Sequence, residues 1–270
     1  MNIFVRNIAF ALGYILTPQV QRRQVLQLIR SLRPQDCGKR LIRVGARGDG
    51  GYLIPDDLGS IQYCFSPGVS TVVDFEIQLA ARNIQSFLAD YSVDGPPTPL
   101  PQLVFDKKFI GTSDNDTCMT LASWKQRYLP QYRGDLLLQM DIEGAEYAVI
   151  LSTPEELLRS FRIIVLELHH LERLFEPFAH AIMKACFEKL LTFFFVVHSH
   201  PNNCAGRVRR SGLEIPRALE LTLYNRNRAA PGAYLQQFPH PLDADNCDGV
   251  RPLPLPAAWY RPGFAPGERA

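Results

Sequence analysis

Three carboxylates crowd into the six residues Asp141-Ile142-Glu143-Gly144-Ala145-Glu146, directly after the apolar run LLLQM. A helix starting here favours acids in its first turn, because its free N–H groups and dipole attract negative charge. Three acids exceed what a cap needs. Glu167 lies inside a second apolar run, RIIVLEL, where burying a carboxylate is costly unless it is paired or metal-bound. That run delivers His169-His170, and the next, FFFVV, delivers His198-Ser199-His200-Pro201-Asn202-Asn203. Four of the six histidines thus gather at two neighbouring run ends. With Asp141 and Glu167 they supply the ligand types for a divalent cation, or a general base.

Two further positions suit a nucleoside cofactor. Ser66-Pro67-Gly68-Val69-Ser70 follows the run IQYCF, and Gly68 would let a ligand approach the backbone just before a helix N-terminus near Asp74. Asp90 ends the run SFLA, 22 residues after Gly68, a spacing that suits hydrogen bonds from ribose hydroxyls. A turn or helix-cap role is the alternative for Asp90. The stretch has no GxGxxG, which argues against a nicotinamide dinucleotide enzyme.

The elements that must position these residues follow from the alternation of the chain. From Ile61 onward, short apolar runs alternate with helix-like stretches (VVDFEIQLAARN, LASWKQRYL, PEELLRSF and a long one near Leu171 to Leu190). That rhythm predicts βαβ units and a mostly parallel sheet covered on both faces, a doubly wound α/β fold. Ligands of such a sheet bind beyond the carboxyl ends of its strands, where the residues above fall. Leu41 to Ile54, LIRVGARGDGGYLI, reads as a hairpin or ordered loop beside a site. Three regions are expected: an N-terminal helical cap (1–35), a catalytic domain (36–228) and an extended proline-rich tail (229–270), which holds eight of the 21 prolines.

With 46% hydrophobic and 21% charged residues, the composition is that of a folded globular protein. A formal charge of +2 implies no nucleic-acid partner. Six scattered cysteines without a CxxC pair suggest neither a zinc ribbon nor a disulfide framework, which favours a reducing, cytoplasmic setting. The longest apolar runs are too short to cross a bilayer. The first residues, with Arg6 beside an apolar run, read as a packing or membrane-surface helix rather than a secretion signal, so a membrane-associated location stays open.

Taken together, RVG with DGGY, CFSPGVSTVVDFE, LLLQMDIEGAEYAVI, IIVLELHHL and VVHSHPNN with IPRALELTLYNR resemble the FkbM-type branch of S-adenosylmethionine-dependent methyltransferases over roughly residues 40 to 228. The resemblance implies a Rossmann-like methyltransferase sheet with Gly68 in the cofactor loop and Asp90 at the cofactor ribose. It sets the DGGY segment (Asp49, Gly50, Gly51) and the DIEGAE segment (Asp141, Glu143) beside the site. It also implies methylation of a hydroxyl, often on a sugar or glycan, with a small molecule or glycan as acceptor. SPGVS departs from the ExGxG pattern common in methyltransferases, and Ser66 stands where the acid is expected, with Glu76 or Asp49 able to compensate.

Methyl transfer from a sulfonium needs in-line alignment and removal of the hydroxyl proton. Two solutions fit: a histidine base, His198 or His200, or a divalent metal such as magnesium on Asp141, Glu167 and His198 that lowers the hydroxyl pKa. Glu143 and Glu146 would orient the methionine ammonium or cap the helix. Asn202 and Asn203 would bind acceptor hydroxyls or form an ordinary turn. Two other classes stay open: a nucleotide-sugar or NAD-dependent enzyme of the same fold, and a non-catalytic scaffold that has lost the cofactor.

Overall fold

The computed structural model describes residues 3–14 and 16–263. Two helices open the chain, α1 (Ile3–Ala11) and α2 (Arg22–Ser31), followed by an antiparallel hairpin of β1 (Leu41–Val44) and β2 (Tyr52–Pro55). The N-terminal segment is therefore two helices broken near Pro18, not one continuous stretch. The sheet begins with β3 (Tyr63–Pro67), α3 (Asp74–Ala80), β4 (Gln85–Ala89) and β5 (Leu103–Asp106). A short parallel pair, β6 (Phe109–Gly111) and β7 (Cys118–Thr120), leads into α4 (Leu121–Tyr128) and β8 (Leu136–Met140). Then come α5 (Glu146–Ser152), α6 (Glu155–Ser160), β9 (Phe161–Leu168), α7 (Pro177–Phe193) and β10 (Phe194–Pro201). A hairpin of β11 (Arg207–Arg210) and β12 (Leu213–Pro216) precedes β13 (Leu219–Asn225).

The main sheet has seven strands in the order β10-β13-β9-β8-β3-β4-β5. The pairs β3–β4, β4–β5, β3–β8 and β8–β9 are parallel, whereas β13 runs antiparallel between β9 and β10. This is a Rossmann-like doubly wound α/β sheet. From β3 the chain moves outward through β4 and β5, then returns to β8 on the other side. The order reverses between β3 and β8, the position at which such sheets bind ligands.

Each face of the sheet carries its own core. Phe65, Leu138, Leu166, Leu221 and Leu223 pack with residues of α2, α4, α5 and α7 on one face. Cys64, Leu137, Ile163, Val165 and Tyr224 face Phe75 and Leu79 of α3 and Tyr52 and Ile54 of the β1–β2 hairpin on the other. Burial on both faces explains why these strands read as continuous apolar runs. All eight residues of β9 are buried, including two charged ones. At the amino end, Arg162 Nε donates to Asp135 Oδ2 at 2.7 Å, and its Nη1 donates to the carbonyl of Gly59 at 2.6 Å. Its charge is fully compensated. At the carboxyl end sits Glu167, with a different environment.

Of the tail, Leu253, Leu255, Ala258, Trp259 and Tyr260 are buried, and Trp259 Nε1 donates to the carbonyl of Glu214. The expectation for residues 264–270 falls outside the described residues. A disulfide joins Cys204 to Cys247, a pairing that the scattered cysteines did not suggest. The two lie 43 residues apart and meet because the segment after β10 docks the tail, a proximity that local spacing does not reveal.

Candidate active site

Where the sheet order reverses, β3 and β8 are tied end to end: Asp141 N–H donates to the carbonyl of Pro67, and Gly68 N–H donates to the carbonyl of Ala89 on β4. Gly68 adopts φ +85°, and a Cβ there would lie 1.5 Å from the carbonyl oxygen of Asp141. The close approach and the left-handed backbone both demand glycine. Gly50 answers a similar need, since its Cβ would meet Val72 at 2.5 Å with φ +72°. The hairpin loop thereby closes down on the loop after β3.

Between them lies a cavity of about 150 Å³ lined by residues including Asp49, Gly50, Tyr52, Gly68, Glu76 and Asp141. A whole drug-sized ligand fills roughly 300–1,000 Å³, so this space suits one arm of a cofactor. Its floor is a hydrogen-bonded chain. Ser66 Oγ contacts Glu76 Oε1 and, at 2.6 Å, Gln139 Oε1, while Gln139 Nε2 donates to the Tyr52 hydroxyl at 3.2 Å. Ser66 has one proton for two acceptor oxygens, so the chain is complete when the Glu76 carboxyl is protonated and donates. Burial raises the Glu76 pKa to about 7, against the lowering contact with Ser66. Glu76 of α3 thus places a carboxyl group against Ser66.

Asp90 Oδ2 accepts from Ser70 N–H at 2.9 Å, and Oδ1 accepts from Ser92 N–H and Oγ at 2.8 and 2.6 Å. It braces the loop after β3 from the end of β4 but does not line the 150 Å³ cavity, nor do Gly51 and Glu143.

The DIEGAE turn is organised by Glu146. This fully buried side chain accepts through Oε1 from Ile142 N–H at 2.9 Å and Gly144 N–H at 3.1 Å, and contacts His169 Nδ1 at 3.1 Å. It caps the turn, leaving Glu143 exposed. His169 Nε2 in turn faces Glu143 Oε2 at 3.5 Å and Asp141 Oδ1 and Glu167 Oε1 at 3.8 Å. Burial disfavours the charged ring, but the Glu146 contact and the surrounding carboxylates reverse this and raise its pKa to about 9. Asp141 is raised by burial and by Glu167, and its buried Oδ1 has no hydrogen-bond partner. His169 is the central cation of this cluster, although the sequence favours His198 and His200. The crowding of acids after β8 was the available signal, since four carboxylates require a counter-charge.

The Asp141, Glu167 and His198 metal set is not assembled. His198 Nε2 contacts Asp243 Oδ1 of the tail at 2.8 Å, and His200 Nδ1 faces Asp243 Oδ2 at 3.5 Å. Asp243 is held well below its ordinary pKa: burial opposes its charge, but the two histidines stabilise it. Among the described residues, Asp141, Glu143 and His169 have ligand atoms within 4.8 Å of one another. The surrounding carboxylates raise the His169 pKa, so a cation bound by this group would have to displace the ring proton.

A polar seam links the two clusters across the strand ends. Glu167 is registered with Glu220, and Glu220 with His200. Burial and the charge of Glu167 raise the Glu220 pKa to about 8, opposed by His200. Asn202 Nδ2 donates to Glu167 at 2.8 Å, and Asn246 Nδ2 to Glu220 at 2.7 Å. Asn203 pairs with the backbone of Cys247, so both asparagines of HSHPNN are engaged within the protein.

The glycine-shaped loop after β3, an acid from the following helix and an acid after β8 converge at the switch point. Residues 72–192 match the methyltransferase FkbM domain. Over that segment, somewhat under half of its length, the chain is similar to this family. Remote structural likenesses include the fibrillarin/Nop5p complex, at 10% identity over 61% of this chain and 72% of that chain, with a TM-score of 0.37. The N-methyltransferase NodS from Bradyrhizobium japonicum is 9% identical over 76% of this chain and 95% of its own, with a TM-score of 0.31. The bifunctional kinase-methyltransferase WbdD is 12% identical over 62% of this chain and 35% of its own, with a TM-score of 0.30. No curated protein matches the chain in sequence.

Proposed function

We propose that this protein is an FkbM-type methyltransferase that transfers a methyl group from S-adenosylmethionine to a hydroxyl of a sugar or glycan acceptor. The observation that carries the reading is the cavity at the switch point, where Glu76 and Asp141, whose Oδ1 accepts no hydrogen bond, stand beside the Gly68 loop. The residues fit the donor. When bound, S-adenosylmethionine supplies a methyl carbon activated by its sulfonium. Glu76 would pair with the donor's ammonium, the N–H groups after Gly68 would approach its backbone atoms, and Asp90 would brace that loop beside the ribose.

Removal of the acceptor proton falls to a group near the cavity. Of His198, His200 and Asp141, the last lines it, and its raised pKa suits proton acceptance near neutral pH. The histidines are held by Asp243 with His198 Nδ1 and His200 Nε2 buried and unpartnered, which suits a base that works once the acceptor enters from the tail side.

The test is incubation with methyl-labelled S-adenosylmethionine and a panel of saccharides. An alkali-stable methyl ether is expected. Label found on an amine, or cofactor binding with no transfer to any hydroxyl, would overturn the acceptor assignment.

A further inference from the structure

Helix α1, with the sequence IFVRNIAFA, has no buried residue. Ile3, Phe10, Leu12 and Tyr14 are each more than 65% exposed, and Val5 and Ile8 are also exposed. So dense an apolar patch marks an interaction surface. Charge identifies the partner. Residues 1–35 contain five of the 29 cations (Arg6, Arg22, Arg23, Arg30 and Arg33) and none of the 27 acids, so the remainder of the chain is net acidic.

A second basic element meets this segment. Arg22 Nε, at the start of α2, donates to the carbonyl of Ser211 at the tip of the β11–β12 hairpin, at 2.9 Å. That tip carries the exposed Arg209 and Arg210. The hairpin leaves β10 and enters β13 at the sheet edge that bears the polar seam, so its arginines lie on the site's side of the sheet.

We propose that α1 and the arginine-tipped hairpin together dock this protein on an anionic lipid bilayer. The apolar helix inserts among the acyl chains near the headgroups, and the arginines engage the lipid phosphates. A second copy fits poorly, because α1-to-α1 pairing would oppose two acid-free, cationic segments. None of the described helices is long and apolar enough to cross a membrane, which makes this a surface attachment.

Flotation of the full chain with vesicles provides the test, using phosphatidylcholine alone and phosphatidylcholine with one-third phosphatidylglycerol. Binding to the anionic vesicles is expected. Ile8→Glu with Phe10→Glu should abolish it, and Arg209→Gln with Arg210→Gln should weaken it about 25-fold, at roughly fivefold per charge. Melting temperature and S-adenosylhomocysteine affinity should stay at wild-type values in both variants, which separates this proposal from the cofactor assignment. Three results would overturn it: no association with either vesicle, equal association by the Ile8/Phe10 variant, or a solution dimer that this variant dissolves while vesicles remain unbound.

Discussion

Glu76→Gln isolates the carboxylate proposed to stand in for the acid absent at Ser66. Glutamine keeps an acceptor for Ser66 but cannot ionise. With a folded pKa of about 7, Glu76 is roughly one-tenth ionised at pH 6 and nine-tenths at pH 8. If its carboxylate pairs with the ammonium of S-adenosylhomocysteine, wild-type affinity should rise about tenfold across that interval. The variant should show no such rise. At pH 8 it should bind about tenfold or more weakly, as expected from losing a hydrogen bond between charged partners. Isothermal titration at pH 6, 7 and 8 measures both effects. Stability provides the control with the opposite sign. An acid whose pKa is raised on folding holds its proton longer in the native state, so wild-type stability should fall as pH climbs from about 4.5 through 7, by about 3 kcal/mol. Glu76→Gln should lack that loss and be at least as stable at pH 8. A pH-independent wild-type affinity, or the same slope in the variant, would refute the pairing.

Gly68→Ala should abolish cofactor binding and lower the melting temperature by several degrees, because its Cβ would lie 1.5 Å from the Asp141 carbonyl oxygen at a φ that costs roughly 1–2 kcal/mol for alanine; wild-type binding in calorimetry would contradict the close-packed loop. Replacing His198 with Ala should reduce turnover more than cofactor affinity, and steady-state kinetics showing the reverse would place His198 in donor binding. Reduction of Cys204–Cys247, or Cys204→Ser, should destabilise the chain by about 2–4 kcal/mol, visible as a thermal shift that reductant produces in wild type but not in the variant.

The sheet was legible because each parallel strand is buried on both faces and therefore appears as an unbroken apolar run, with its chemistry displaced to the strand end. LELTLYN of β13 was harder. Its Leu219, Leu221 and Leu223 alternate with Glu220, Thr222 and Tyr224, and antiparallel insertion between β9 and β10 depends on long-range pairing that local pattern does not encode. The cluster around Asp141 was visible as an excess of acids, but the histidine that answers it was not. His169 and His198 occupy similar strand ends. What separates them is Asp243, 45 residues after His198, which turns that ring toward the tail. The disulfide was hidden for the same reason, being a product of tail docking.

If the cavity between Gly68, Glu76 and Asp141 receives the amino-acid end of the methyl donor, a crystal structure of the protein with S-adenosylhomocysteine will show it there. The homocysteine arm should lie in that cavity with its ammonium toward Glu76 and the ribose beside the loop that Asp90 braces. A ligand seated elsewhere on the sheet edge, or no binding at millimolar concentration, would contradict it.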